Sequence, residues 1–205
     1  NVFLSPFLAP SLTGPASACH WRKNLSNAIE EYSPSAREAL KARDSDVVLD
    51  HSAYVPRHVK LTADLLKDHI RHYLFVSSIS VYADLSEPVD EESPVAELGD
   101  APIDAMAPDY SNYGALKALC EDTVREVFGD RALVVRPGLI VGPHDPTGRF
   151  TYWPHRLARG GQVLAPAPPE DATQFIDVRD LGQLMVELCE RSVLGTFNAT
   201  NEGDS

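Results

Sequence analysis

YLFVSSISVY, residues 73–82, is a β-branched and aromatic run that ends in polar residues. Almost every position in its first half is apolar, the pattern of a strand covered on both faces rather than half-exposed to water. Two further segments share that character: DVVLDHS (46–52), with its apolar core at Val47 to Leu49, and ALVVRPGLIVG (132–142), interrupted at Pro137-Gly138. Between them lie helical patterns. VPRHVKLTADLLKDHI (55–70) carries Pro56 in its first turn, with Val59, Leu65, Leu66 and Ile70 on its apolar side. YSNYGALKALCEDTVREVFG (110–129) lines Leu116, Leu119, Cys120, Val124 and Val127 along one side and stops at Gly129. Buried strands alternating with amphipathic helices predict right-handed βαβ units, hence an α/β, Rossmann-like parallel sheet with helices on both faces. Ligands of such sheets sit outside the carboxyl ends of the strands. His51-Ser52, Ser77-Ser78 and Pro137-Gly138 all fall at that edge.

The flanking regions differ. Residues 1–35 have no clean period and many breakers, including Pro6, Pro10, Gly14, Pro15 and Pro34, and are read as an irregular N-terminal segment. SAREALKARD (35–44) reads as a short helix. The catalytic core is placed at 36–142. Residues 143–205 read as a partial substrate lobe: a Pro-rich loop, a short helix near 153–159, and FIDVRDLGQLMVELCE and GTFNATN as a returning strand, helix and strand.

The 205 residues carry a net charge of -12, which repels a phosphate backbone and argues against nucleic acid as a partner. No apolar run is long enough to span a bilayer, so no membrane partner is expected. Cys19, Cys120 and Cys189 are odd in number and far apart, which gives neither a disulfide framework nor a zinc site. His69 and His72 have no third ligand in view. The expected compartment is the cytoplasm.

Tyr113 and Lys117 stand four residues apart on one helical face. An ammonium beside a phenol favours the phenolate and lowers a pKa that is otherwise near 10. Tyr-x-x-x-Lys is thus an acid/base with its tuner, or simply a tyrosine beside a solvated lysine. Ser78, at the polar strand end, supplies a hydroxyl to hold a substrate oxygen, or bonds only to nearby backbone. Arg149, Tyr152 and Trp153 read equally as substrate-pocket lining and, for the two aromatics, as core of the small lobe.

FVSSISVY, YGALK, VVRPGLIVGP and QFIDVRDLG, in this order and spacing, resemble an extended short-chain dehydrogenase/reductase of the NAD-dependent epimerase/dehydratase family, over roughly residues 36 to 202. The resemblance implies an NAD(P)-dependent epimerase, dehydratase or reductase acting on a carbinol carbon, of a nucleotide sugar or related polyol. It implies Ser78, Tyr113 and Lys117 as the catalytic set, with Tyr113 the acid/base and Lys117 also on the nicotinamide ribose. It implies that NAD or NADP meets His51, Ser52, Ser77, Lys117, Pro137 and Gly138, and it is compatible with a homodimer. One departure stands against it. The family begins with a strand, a Gly-rich turn and a helix that holds the pyrophosphate, and nothing in residues 1 to 45 reads that way. The expectation is a missing N-terminal βαβ, weak cofactor binding, and an exposed apolar flank on strand 46–52 or 73–82. A binding or regulatory protein, or an inactive fragment, on the same scaffold is the alternative.

Overall fold

The computed structural model describes residues 2–4, 45–145, 147–165, 168 and 173–201, the first three by their backbone alone. A five-stranded, all-parallel sheet runs in the order β1-β2-β3-β4-β7, built from Val2–Leu4 (β1), Ser45–Asp50 (β2), Ile70–Val76 (β3), Ala132–Pro137 (β4) and Gly195–Ala199 (β7). Leu139–Val141 (β5) and Phe175–Asp177 (β6) form a separate two-stranded parallel sheet. The helices are Pro56–Leu66 (α1), Tyr113–Phe128 (α2), Tyr152–Ala158 (α3) and Val178–Glu190 (α4).

The alternation within each strand explains the two-sided core. Val48, Tyr73 and Phe75 point to one face, where Val59, Ala63 and Leu66 of α1 and Cys120, Val124 and Phe128 of α2 cover them. Val47, Leu49, Leu74, Val76, Leu133 and Val135 point to the other, against Leu181 of α4. The strands therefore carry continuous apolar runs, as both-face burial requires.

Two expectations are corrected. Val2–Leu4, inside the stretch read as irregular, is a strand, and it pairs in parallel with β2 through Val2–Val47, Phe3–Val48 and Leu4–Leu49. The outer edge of β2 is therefore paired rather than bare, and β3 is internal. A three-residue strand is too short to show a period, which hides it from sequence. The short helix expected at 35–44, and the search for a Gly-rich turn in residues 5–44, lie outside the described residues. In the C-terminal third, α4 covers the second face of the main sheet and β7 joins its edge beside β4. Much of residues 175–199 thus completes the parallel-sheet domain itself.

One polar interaction crosses these layers. Glu121 of α2 is fully buried and grips Arg136 of β4 with two bonds, Nε to Oε1 at 3.0 Å and Nη2 to Oε2 at 2.7 Å. Arg125 adds a third bond to Glu121 Oε2 at 2.9 Å. The remaining Arg136 nitrogen donates to the Tyr82 hydroxyl at 3.0 Å and the Glu91 carbonyl at 3.1 Å. Tyr82 donates to Asn198 Oδ1 of β7 at 2.7 Å. Removing one member of such a pair leaves an unpaired buried charge. Glu121→Ala should therefore lower the unfolding free energy by about 3–5 kcal/mol, read from denaturant midpoints. A loss under about 1 kcal/mol would mean the pair is relieved by water or rearrangement.

Candidate active site

The carboxyl ends of β3 and β4 meet at one edge of the sheet. β3 stops at Val76, and Ser77 and Ser78 lead into a single 3₁₀ turn, Ile79–Val81, which Ser78 caps by accepting from the Ser80 N–H at 3.1 Å. Helix α2 starts directly above this turn. The approach is so close that a Cβ on Gly114 would lie 1.9 Å from the Ser80 carbonyl oxygen. Glycine in YGALK is thus what lets Tyr113 reach Ser78. Asn112, buried just before the helix, accepts from the Ala107 N–H at 2.8 Å and donates to the Ala105 carbonyl at 2.9 Å, fixing the long loop that enters α2.

A cleft of about 840 Å³ opens at this edge, lined among others by Ser77, Ser78, Tyr113, Pro137, Gly138 and Arg149. Burial holds the Tyr113 phenol above its ordinary value and outweighs the neighbouring Ser78 hydroxyl, which favours ionisation. The expected depression by Lys117 is absent. The Lys117 side chain passes beneath the cleft instead, where its ammonium donates to the Ala53 carbonyl at 2.9 Å and the Val76 carbonyl at 2.8 Å and lies 4.1 Å over the Phe75 ring. Burial lowers its pKa to about 8. Three groups on α2, four residues apart, thus serve three levels: Tyr113 the cleft, Lys117 the ends of β2 and β3, Glu121 the anchor to β4.

The other predicted residues divide. Pro137 ends β4, but the Gly138 N–H donates to the Ala199 carbonyl at 3.0 Å. Gly138 therefore lines the cleft without a free backbone donor, and a Cβ there would come within 3.2 Å of the Thr200 side chain. His51 is half-buried beyond β2, and its Nε2 has no partner among the described residues. Ser52 turns inward and donates from both N and Oγ to Asp50 Oδ1, each at 2.9 Å. Arg149 reaches the cleft, whereas Tyr152 and Trp153 are not among its lining and pack edge-on against each other on α3, at 5.1 Å between centroids. Sequence reasoning missed Tyr54 and Tyr110 on the cleft wall. The Tyr54 and Tyr113 rings are 6.2 Å apart. Neither residue has a motif; Tyr54 lies only two residues beyond the strand-end pair His51-Ser52.

The model of the NAD dependent epimerase/dehydratase family matches residues 31–199. No curated protein sequence matches the chain. Among solved structures, UDP-glucuronic acid 4-epimerase from Bacillus cereus in complex with NAD is similar with a TM-score of 0.65 and 17% identity, over 85% of this chain and 58% of that one. A dTDP-4-dehydrorhamnose reductase from Clostridium acetobutylicum is similar at 0.64 and 15% identity, over 87% and 64%. RMD from Pseudomonas aeruginosa complexed with NADPH is similar at 0.61 and 19%, over 97% and 78%. The chain spans 64% of the length of the reductase and 58% of that of the epimerase.

Two outcomes follow from this geometry. Gly114→Ala should force α2 away from the Ser80 carbonyl and cost about 1–3 kcal/mol. Wild-type stability in that variant would show that the turn yields freely. The second outcome is a pH dependence. Lys117 has a folded pKa of about 8 against an ordinary 10.5. Between those values the unfolded chain holds a proton that the folded chain has shed, so stability rises with pH there. Below the window the folded state bears the full cost of the buried charge, on the order of 3 kcal/mol. Relative to Lys117→Met, the wild-type chain should gain most of that between about pH 7.5 and pH 10 in urea unfolding. Parallel profiles would place the ammonium in water.

Proposed function

The chain belongs to the NAD-dependent epimerase/dehydratase family, and on that premise we propose that it transfers hydride at a carbinol or carbonyl carbon, of a nucleotide sugar or related polyol, with Tyr113 moving the proton. The observation that carries this reading is the meeting of Ser78, Tyr113 and the side-chain-free Gly138 on one cleft at the strand carboxyl ends.

A nicotinamide dinucleotide supplies the hydride acceptor or donor when bound. The local donor set fits its nicotinamide and ribose end. Lys117 has three N–H groups and uses two on backbone carbonyls, leaving one for a ribose hydroxyl. Ser77 and Gly138 line the cleft together with Ser78. His51 Nε2 is the unpartnered polar atom at the end of β2, suited to the adenosine side together with the turn at Ser52.

Ser78 holds the reacting oxygen by hydrogen bonding. Tyr113, kept protonated by burial, donates its hydroxyl proton to that oxygen in the reductive direction and recovers it in the oxidative one. Arg149, the cation that acts on the Tyr113 phenol, favours the phenolate formed in between. Arg149 provides a cation at the cleft for an anionic portion of the substrate, consistent with the phosphates of a nucleotide sugar.

Turnover is tested by following cofactor absorbance against a panel of nucleotide sugars. Tyr113→Phe should lower kcat by about 10²–10⁴-fold while leaving cofactor affinity within about twofold, because only the ionisable oxygen is lost. Undiminished turnover in Tyr113→Phe would transfer the proton step to another group. Turnover confined to substrates other than nucleotide sugars would overturn the substrate class.

A further inference from the structure

Asp50 is buried at the end of β2, 3% exposed. Its carboxylate accepts from Ser52 N and Ser52 Oγ, each at 2.9 Å, and from the Tyr73 hydroxyl at 2.6 Å. All three partners are neutral donors. Burial and the neighbouring Asp50 charge both push the Tyr73 phenol well above its ordinary value, so it stays a donor. Lys117, also buried, is in the complementary position: its ammonium is held by two neutral carbonyls and a ring face. A charge in a site of low dielectric requires compensation.

The candidates for that compensation are few. Cys120 and Glu121 act on Lys117 from its own helix, and Asp50 acts from β2. Tyr113 on α2 and Tyr54 in the loop after β2 are the nearby phenols. Burial pushes the Cys120 thiol up to about 12, so it is neutral. Glu121 already faces two guanidiniums, Arg136 and Arg125. Tyr113 is held protonated by burial. Asp50 is left as the anion whose hydrogen-bonding partners carry no charge.

We propose that Asp50 is a positioning residue for Lys117: a buried counter-charge that acts at a distance and, through the turn it closes with Ser52, sets the Ala53 carbonyl on which the ammonium rests. The two buried ions form one neutral unit split across two strand ends, each held by its own neutral hydrogen bonds. The functional consequence rests on the reading of Lys117 as the cation beneath the proton-transfer tyrosine. The charge coupling itself does not, and it is read without turnover.

The test is side-chain NMR of the whole chain, labelled at lysine, following the Lys117 ε-carbon through a pH titration. Asp50→Asn keeps the shape and removes the charge. Tyr73→Phe is added in a second variant, Asp50→Asn/Tyr73→Phe, to take away the phenol donor that would otherwise face the new amide and threaten folding. In both, the Lys117 midpoint should fall by about one pH unit or more, while the backbone spectrum away from β2 stays native. A midpoint within about 0.3 of wild type in either folded variant would overturn the coupling. If the midpoint falls as expected but Asp50→Asn leaves the pH profile of turnover unchanged, the coupling stands and the assigned role of Lys117 fails.

Discussion

The fully buried contact between Glu121 and Arg136 fixes everything that the cleft depends on. It joins the helix that carries Tyr113 and Lys117 to the strand that ends in Pro137-Gly138. Two parallel bonds between planar groups define an orientation as well as a distance. The helix is thereby held in rotation, and the residues one and two turns earlier on the same face are aimed with it. Burying two charges is costly in itself. Here the cost is offset by a network in which Arg125, Tyr82, the Glu91 carbonyl and Asn198 satisfy remaining donors and acceptors. The network also ties down the long loop after β3 and the edge strand β7, so the walls of the cleft share one anchor.

Below the cleft the chemistry is one of charges withdrawn from water. Lys117 occupies the floor between the ends of β2 and β3, where carbonyl oxygens point outward from the parallel strands. Desolvation makes it a weaker base than a surface lysine, yet at neutral pH most of it remains cationic. Tyr113 lies above in the opposite condition, with burial retaining its proton. A protonated phenol over a buried cation suits a group that must release a proton to an oxygen and take it back.

The parallel sheet was legible because its strands are buried on both faces: Val47–Leu49, Tyr73–Val76 and Leu133–Val135 leave no polar period to misread. The assignment of Ser78 and Tyr113 to one site was legible from strand-end position and helical phase. What was hidden depends on contacts distant in sequence. Glu121 and Arg136 look like surface charges in a linear reading, and only the packing of α2 on β4 buries them. Asp50 sits inside a recognised strand, and its importance comes from Tyr73, 23 residues away. The direction of the Tyr113 shift was misjudged for a related reason. Spacing on a helix places Lys117 nearby, but not its ammonium, which long methylene stems direct to the strand ends. Tyr152 and Trp153, read equally as pocket lining and as core of the small lobe, sit on a short helix and are not among the residues that line the cleft.

The central claim is that the Glu121–Arg136 anchor holds Ser78, Tyr113 and Gly138 together as the receptor for the reacting end of a nicotinamide cofactor. Amide NMR mapping of the chain during titration with NADH tests it most directly, since it detects even weak binding. The account predicts that the Ser78, Tyr113 and Gly138 amides shift together along one saturable curve in the wild-type chain, and that this common response is lost in Arg136→Met. Shifts confined to other surfaces, or an undiminished common response in Arg136→Met, would contradict it.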